Sequence, residues 1–172
     1  MESTSSARNV AAYLKAVKEL IDRATASRQL WIRQIGKVGQ AIKAGDEMAA
    51  VEAGVVGGDQ AERFRAVREE LARLTVPQAC DSCQIAAISW LEKQIAACEV
   101  LVEMGETRNV DLMRHVSGML AEGRIDTARF KAEYNGLITA LQEHLKATKP
   151  AKPKRTRWPF GTKPRRAGLK RA

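Results

Sequence analysis

Residues 10–42 read VAAYLKAVKELIDRATASRQLWIRQIGKVGQAI, and within them Val10, Leu14, Val17, Ile21, Ala24, Arg28, Trp31, Ile35, Val38 and Ile42 follow one another at alternating steps of four and three. A seven-residue repeat held over more than four heptads, with Arg28 as its polar interruption, is the pattern of a long helix packed in coiled-coil fashion. Ser5 or Ser6 can cap its start and Gly45 its end, so the spacing predicts one helix from Ser6 to Ala44. A charge in the core phase is costly unless it is paired, so Arg28 is expected to meet a carboxylate on a neighbouring helix and fix its register. A strict seam this long also points to a second copy of the chain, as a homodimer.

Working outward, a second helix is expected from Asp46 to Leu74. Its large apolar residues fall into two stripes, Met48-Val51-Val55 and Phe64-Val67-Leu71-Leu74, separated by Gly57-Gly58-Asp59. Two interior glycines cost about 1 kcal/mol each, and Asp59 with Glu62 resembles a capping pair, so a kink or break is expected there. Pro77 suits the opening of a third helix. Ile85, Ile88, Leu91, Ile95, Cys98 and Val102 carry that helix to Met104-Gly105. A fourth, starting near Thr107 or Asn109, carries Leu112, Val116, Met119, Gly123, Phe130, Tyr134, Leu137, Leu141 and Leu145, with Asp126 on the same phase and a bend expected between Gly123 and Asp126. No period-2 run suggests a strand. Four amphipathic helices on short connections predict an all-α, antiparallel up-down bundle spanning residues 1–145.

Composition removes several classes. No stretch of 18 apolar residues exists to span a membrane, and Met1-Glu2-Ser3-Thr4-Ser5-Ser6 lacks the basic start and apolar run of a secretory signal, so a cytoplasmic protein is expected. Three cysteines, Cys80, Cys83 and Cys98, do not make a disulfide scaffold. His115 and His144 belong to no Glu-x-x-His pair of the di-iron kind. Gly36-Lys37-Val38-Gly39 is not a phosphate-binding loop, since it follows no strand, and its glycines are expected to let helices approach closely.

Cys80-Asp81-Ser82-Cys83 is the most specific local motif. Three residues apart near a helix start, the sulfurs share a face, and the helix dipole favours thiolate at Cys80, which suits redox or metal work. The spacing is similar to that of the reactive cysteines of the alkylhydroperoxidase-like family, but that pattern has a His four residues after the second Cys where this chain has Ala87. No cofactor is indicated.

The net charge of +9 is not spread along the chain. The first 145 residues hold 18 basic and 20 acidic groups, and residues 146–172 hold 11 basic groups and no acidic one. This tail contains Lys146, Lys149, Lys152, Lys154, Arg155, Arg157, Lys163, Arg165, Arg166, Lys170 and Arg171, with Trp158 and Phe160 among them and four prolines. Such a segment has no means of forming a core and is expected to be disordered. Its cations suit a polyanion: nucleic acid, by counterion release and stacking of Trp158 and Phe160 on bases, or, as the second choice, an anionic membrane surface. The composition is similar to the Lys-Pro-Ala-rich tails of linker histones and bacterial histone-like proteins over a short stretch. The sequence therefore points to a non-enzymatic interaction or scaffold protein tethered to a polyanion, with a small redox-responsive or metal-binding protein using Cys80 and Cys83 as the alternative.

Overall fold

The computed structural model describes residues 2–147. They form four helices, α1 (Glu2–Lys43), α2 (Ala49–Ala72), α3 (Asp81–Thr107) and α4 (Leu112–Ala147), with a 3-10 turn at Gln78–Cys80 leading into α3. Each helix packs on the next and α4 returns to α1, an antiparallel up-down bundle.

At 42 residues α1 is about 63 Å long. It stops where the glycine predicts. Gly45 takes φ +81°, its N–H donates to Ile42 O and the Asp46 N–H to Ala41 O, a Schellman ending that only a residue tolerant of positive φ closes cheaply. The heptad positions Leu14, Val17, Ala24, Trp31 and Val38 are buried, with Trp31 edge-on to Phe64 of α2 at a centroid distance of 5.8 Å. The seam enters the chain's own core, with Val10, Ile21, Ile35 and Ile42 packed partly buried against it.

The expected break in α2 is absent: the helix runs through Gly57-Gly58-Asp59 without interruption, and Glu62 pairs with Arg65 instead of capping. The buried stripe is Ala50, Ala53, Gly57, Gln60, Phe64, Val67 and Leu71, an unbroken 3-4 alternation built at one end from small residues, while Met48 and Val55 are exposed. The cause lies across the interface. A Cβ at Gly57 would sit 2.7 Å from Cys98 O and 2.7 Å from the Leu101 Cβ, and one at Gly54 would sit 2.9 Å from the Gly105 Cα. The backbones of α2 and α3 approach so closely that only Gly and Ala fit between them, and the larger apolar residues turn outward. Gly36 and Gly39 behave oppositely to expectation: a Cβ at either would have no atom within 4 Å, so they mediate no close approach.

Pro77 sits ahead of the 3-10 turn, in extended conformation, and α3 starts at Asp81. Ile85 is 58% exposed, contrary to its expected place in the stripe, because α3 buries a broad face of Cys83, Ala86, Ala87, Trp90, Leu91 and their successors one turn apart. Gly105 packs on α2 instead of ending the helix, which closes at Arg108 in the left-handed region. The fourth helix is continuous from Leu112 to Ala147. Surface ion pairs tie neighbours together, Arg23 to Glu70 and Arg65 to Glu99, each exposed and therefore worth at most about 1 kcal/mol.

Candidate functional site: a polar layer and the cleft beside it

Each helix carries a polar side chain on its packing stripe, and the fold brings the four to one level: Arg28 of α1, Gln60 of α2, Gln94 of α3 and Asp126 of α4. Ser27 and Gln60 exchange hydrogen bonds at 2.8 and 3.0 Å across α1 and α2. Arg28 Nε donates to Gln94 Oε1 at 2.8 Å, and Asp126 lies 2.9 Å from Lys93 Nζ. Gln94 is wholly buried and its Nε2 has no partner among the described residues, a deficit of about 1–3 kcal/mol. Gly123 makes room for that amide, since a Cβ there would lie 2.8 Å from Nε2. Arg28 therefore meets an amide in place of the expected carboxylate, and Asp126 pairs with Lys93. Burial, and then the neighbouring Arg124 cation, lower the Arg28 pKa. A layer of this kind penalises any sliding of one helix against another, since a slip by one heptad would leave its polar groups facing hydrocarbon.

Beside the layer, α1 and α4 meet least closely of the adjacent pairs and leave a cleft of about 310 Å³. Ile21, Trp90, Phe130 and Tyr134 give it apolar walls, with the Phe130 and Tyr134 rings 5.7 Å apart. Its charged lining comprises Lys18, Asp22, Arg28 and Lys131. Lys18 pairs with Asp22 one turn on, whereas Arg28 and Lys131 have no carboxylate within ion-pair distance among the described residues.

Cys80 and Cys83 lie elsewhere, near Tyr13, whose hydroxyl donates to Gln84 Oε1 at 2.7 Å while Gln84 Nε2 donates to Leu71 O at 2.9 Å. Both cysteines are completely buried. Burial and then Asp81 raise the Cys80 thiol pKa, opposing the dipole effect expected from its position, and burial pushes Cys83 up to about 11. Cys98 is pushed up to about 12, again by burial. His115 is exposed, and among the described residues no three His, Cys, Asp or Glu side chains gather as a metal ion would require.

Lys146 is exposed in the last turn of α4, so the helix extends into what the sequence assigns to the tail. Lys149, Lys152, Lys154, Arg155, Arg157, Trp158, Phe160, Lys163, Arg165, Arg166, Lys170 and Arg171 lie outside the described residues. The periodicity of large apolar residues passes over Gln60, Gln84 and Gln94, and the signal that would have found Gln60 is its place in the 3-4 alternation once Ala and Gly are counted as packing residues. Comparison with protein-family models, with curated proteins and with solved structures finds no match.

Proposed function

We propose that this is a non-enzymatic helical-bundle protein whose C-terminal segment holds it on nucleic acid. The observation that carries the reading is the partition of charge: 11 cations and no anion in residues 146–172, against 18 cations and 20 anions before them. Tethering of this kind is sequence-independent and falls steeply with salt, because each phosphate neutralised releases condensed counterions. The bundle supports the same reading by what it does with its reactive groups. The thiols that a redox role would need as thiolates are buried with raised pKa values. No helix among the described residues is long and apolar enough to cross a membrane.

Titration of labelled duplex DNA with the full chain and with a chain ending at Ala147, each checked for helix content by circular dichroism, tests the proposal. The full chain is expected to bind with an affinity that drops by orders of magnitude between 50 and 200 mM salt, as a protein making several phosphate contacts does, and the shortened chain is expected not to bind. Equal binding by the two chains overturns the reading. Stronger retention of the full chain on anionic vesicles than on DNA overturns the choice of nucleic acid and leaves a membrane surface as the polyanion.

A further inference from the structure

We infer that the cleft between α1 and α4 is a binding site for a small organic carboxylate with an apolar, ring-bearing body, held by Arg28 and Lys131 over the side chains of Trp90 and Phe130. The site is independent of the C-terminal segment and of the function proposed for it.

Size comes first. A volume of about 310 Å³ is at the lower end of small-molecule pockets and accommodates about ten water-sized groups, enough for one aromatic ring and a short acidic arm. The walls come next. Trp90 closes the cleft from α3, Ile21 and the Phe130–Tyr134 pair line it from α1 and α4, and such surfaces recover free energy from a flat apolar molecule by excluding water.

Charge then selects the ligand's sign. Of the four ionised groups lining the cleft, three are cations, and the lone carboxylate, Asp22, is occupied by Lys18. Arg28 is half-buried and has just one hydrogen bond among the described residues, from Nε to Gln94 Oε1. That bond fixes the guanidinium plane while leaving both Nη groups without protein acceptors. A guanidinium so held is prepared for the two-oxygen fork of a carboxylate, which Nη donors grip in parallel. The depressed Arg28 pKa, caused by burial and by Arg124, has the sign expected of a cation lacking a counter-ion.

The same charge count decides against the occupant that the chain itself could supply. Residues 148–172 carry Trp158 and Phe160, which would suit the walls, but they bring ten cations and no anion to a lining that is already positive. Asp22, the one carboxylate among the described lining residues, is already paired with Lys18 and leaves that charge unbalanced.

The test uses the full chain and 3-phenylpropionate, with 3-phenylpropionamide as its uncharged twin. Titration is followed by the indole N–H resonances in a ¹⁵N–¹H spectrum, Trp90 being assigned from Trp90→Phe. The Trp90 resonance is expected to shift saturably with the acid and far less with the amide, while Trp31, buried against Phe64, stays in place. Arg28→Gln is expected to weaken the acid's affinity about tenfold or more, the usual scale for a charge-assisted hydrogen bond. Because Arg28 also serves the polar layer, Lys131→Gln, an exposed position, is the companion variant, expected to weaken binding several-fold with no loss of helix content. The absence of any Trp90 shift, an equal response to acid and amide, or affinity unchanged in both variants overturns the inference. A shift confined to Trp158 would mark loose pairing with the C-terminal cations, and overturns it too.

Discussion

Along the α2–α3 interface the two backbones approach until Gly54 faces Gly105 and Gly57 faces Leu101, and a single added methyl group has nowhere to go. Along α1–α4, large residues, among them Ile21, Phe130 and Tyr134, stand between the helices and still leave a cleft. Residue size at an interface thus works against intuition: small residues give the close seam, where backbone and Cβ atoms make the contacts, and bulky residues prop their helices apart. The close seam holds the bundle, and the propped one is where it has space for something else. Substitutions that reverse these roles test the contrast.

The largest effect is expected on the close seam. Gly57→Ala and Gly105→Ala should each lower stability by about 3 kcal/mol, the upper end of the usual cost of overpacking, read as a fall in the midpoint of urea unfolding. Phe130→Ala removes far more atoms, yet on the propped seam, where the ring is half-exposed, its cost should be about 2 kcal/mol or less. If Phe130→Ala proves costlier than Gly57→Ala, the contrast fails.

The polar layer comes next. Arg28→Met strips Gln94 of its hydrogen-bond partner and should cost about 1–3 kcal/mol. Adding Gln94→Leu removes the orphaned amide as well, so the double variant should recover most of that loss, and thermal unfolding of the two singles and the double gives the coupling directly. A strictly additive double variant would show that the two side chains do not act as a pair.

Alkaline pH reaches the bundle through its buried thiols. Cys83 and Cys98 are pushed up to about 11 and about 12 by burial, above the ordinary thiol value, so the folded chain holds their protons more tightly than the unfolded chain does. The associated stability is intact at neutral pH and is lost as pH rises from about 9 through those values. Urea midpoints should therefore be flat for these groups from pH 6 to 8 and fall by pH 10, with a smaller fall in Cys98→Ala. Tyr13, raised mainly by its burial, acts in the same direction at higher pH. The smallest effect has the opposite sign. Gly36→Ala places a methyl in open space on a helix and should stabilise by about 0.5–1 kcal/mol, measured in the same unfolding assay.

The fold is legible in the sequence wherever large apolar residues set the period. The α1 seam follows from Leu14, Trp31 and their neighbours at steps of four and three, its stop from Gly45, and the number and order of helices from the further apolar stripes through Phe64, Leu91 and Phe130. Legibility falters where packing is done by small or polar residues. In α2, Met48 and Val55 suggest a phase break at Gly57, whereas Ala50, Ala53, Gly57 and Gln60 continue the period in residues that carry little hydrophobic signal. Arg28 and Asp126 are visible as intruders on their stripes, but which partner each takes is decided by Gln94 and Lys93 on a third helix, and pairing across helices leaves no trace in local spacing. The cleft is not legible at all, because it arises from how far apart α1 and α4 stand.

Native-state hydrogen exchange across denaturant concentrations addresses the contrast between the seams most directly, since it reports the opening free energy of each helix separately. Amides of α2 and α3 around Gly57 and Leu101 are expected to exchange only through global unfolding, while those of α4 around Phe130 exchange through a smaller opening that releases α4 from α1. Protection in α4 equal to that in α3 at every denaturant concentration would mean that the propped seam is as firmly closed as the close one, and the contrast would be lost.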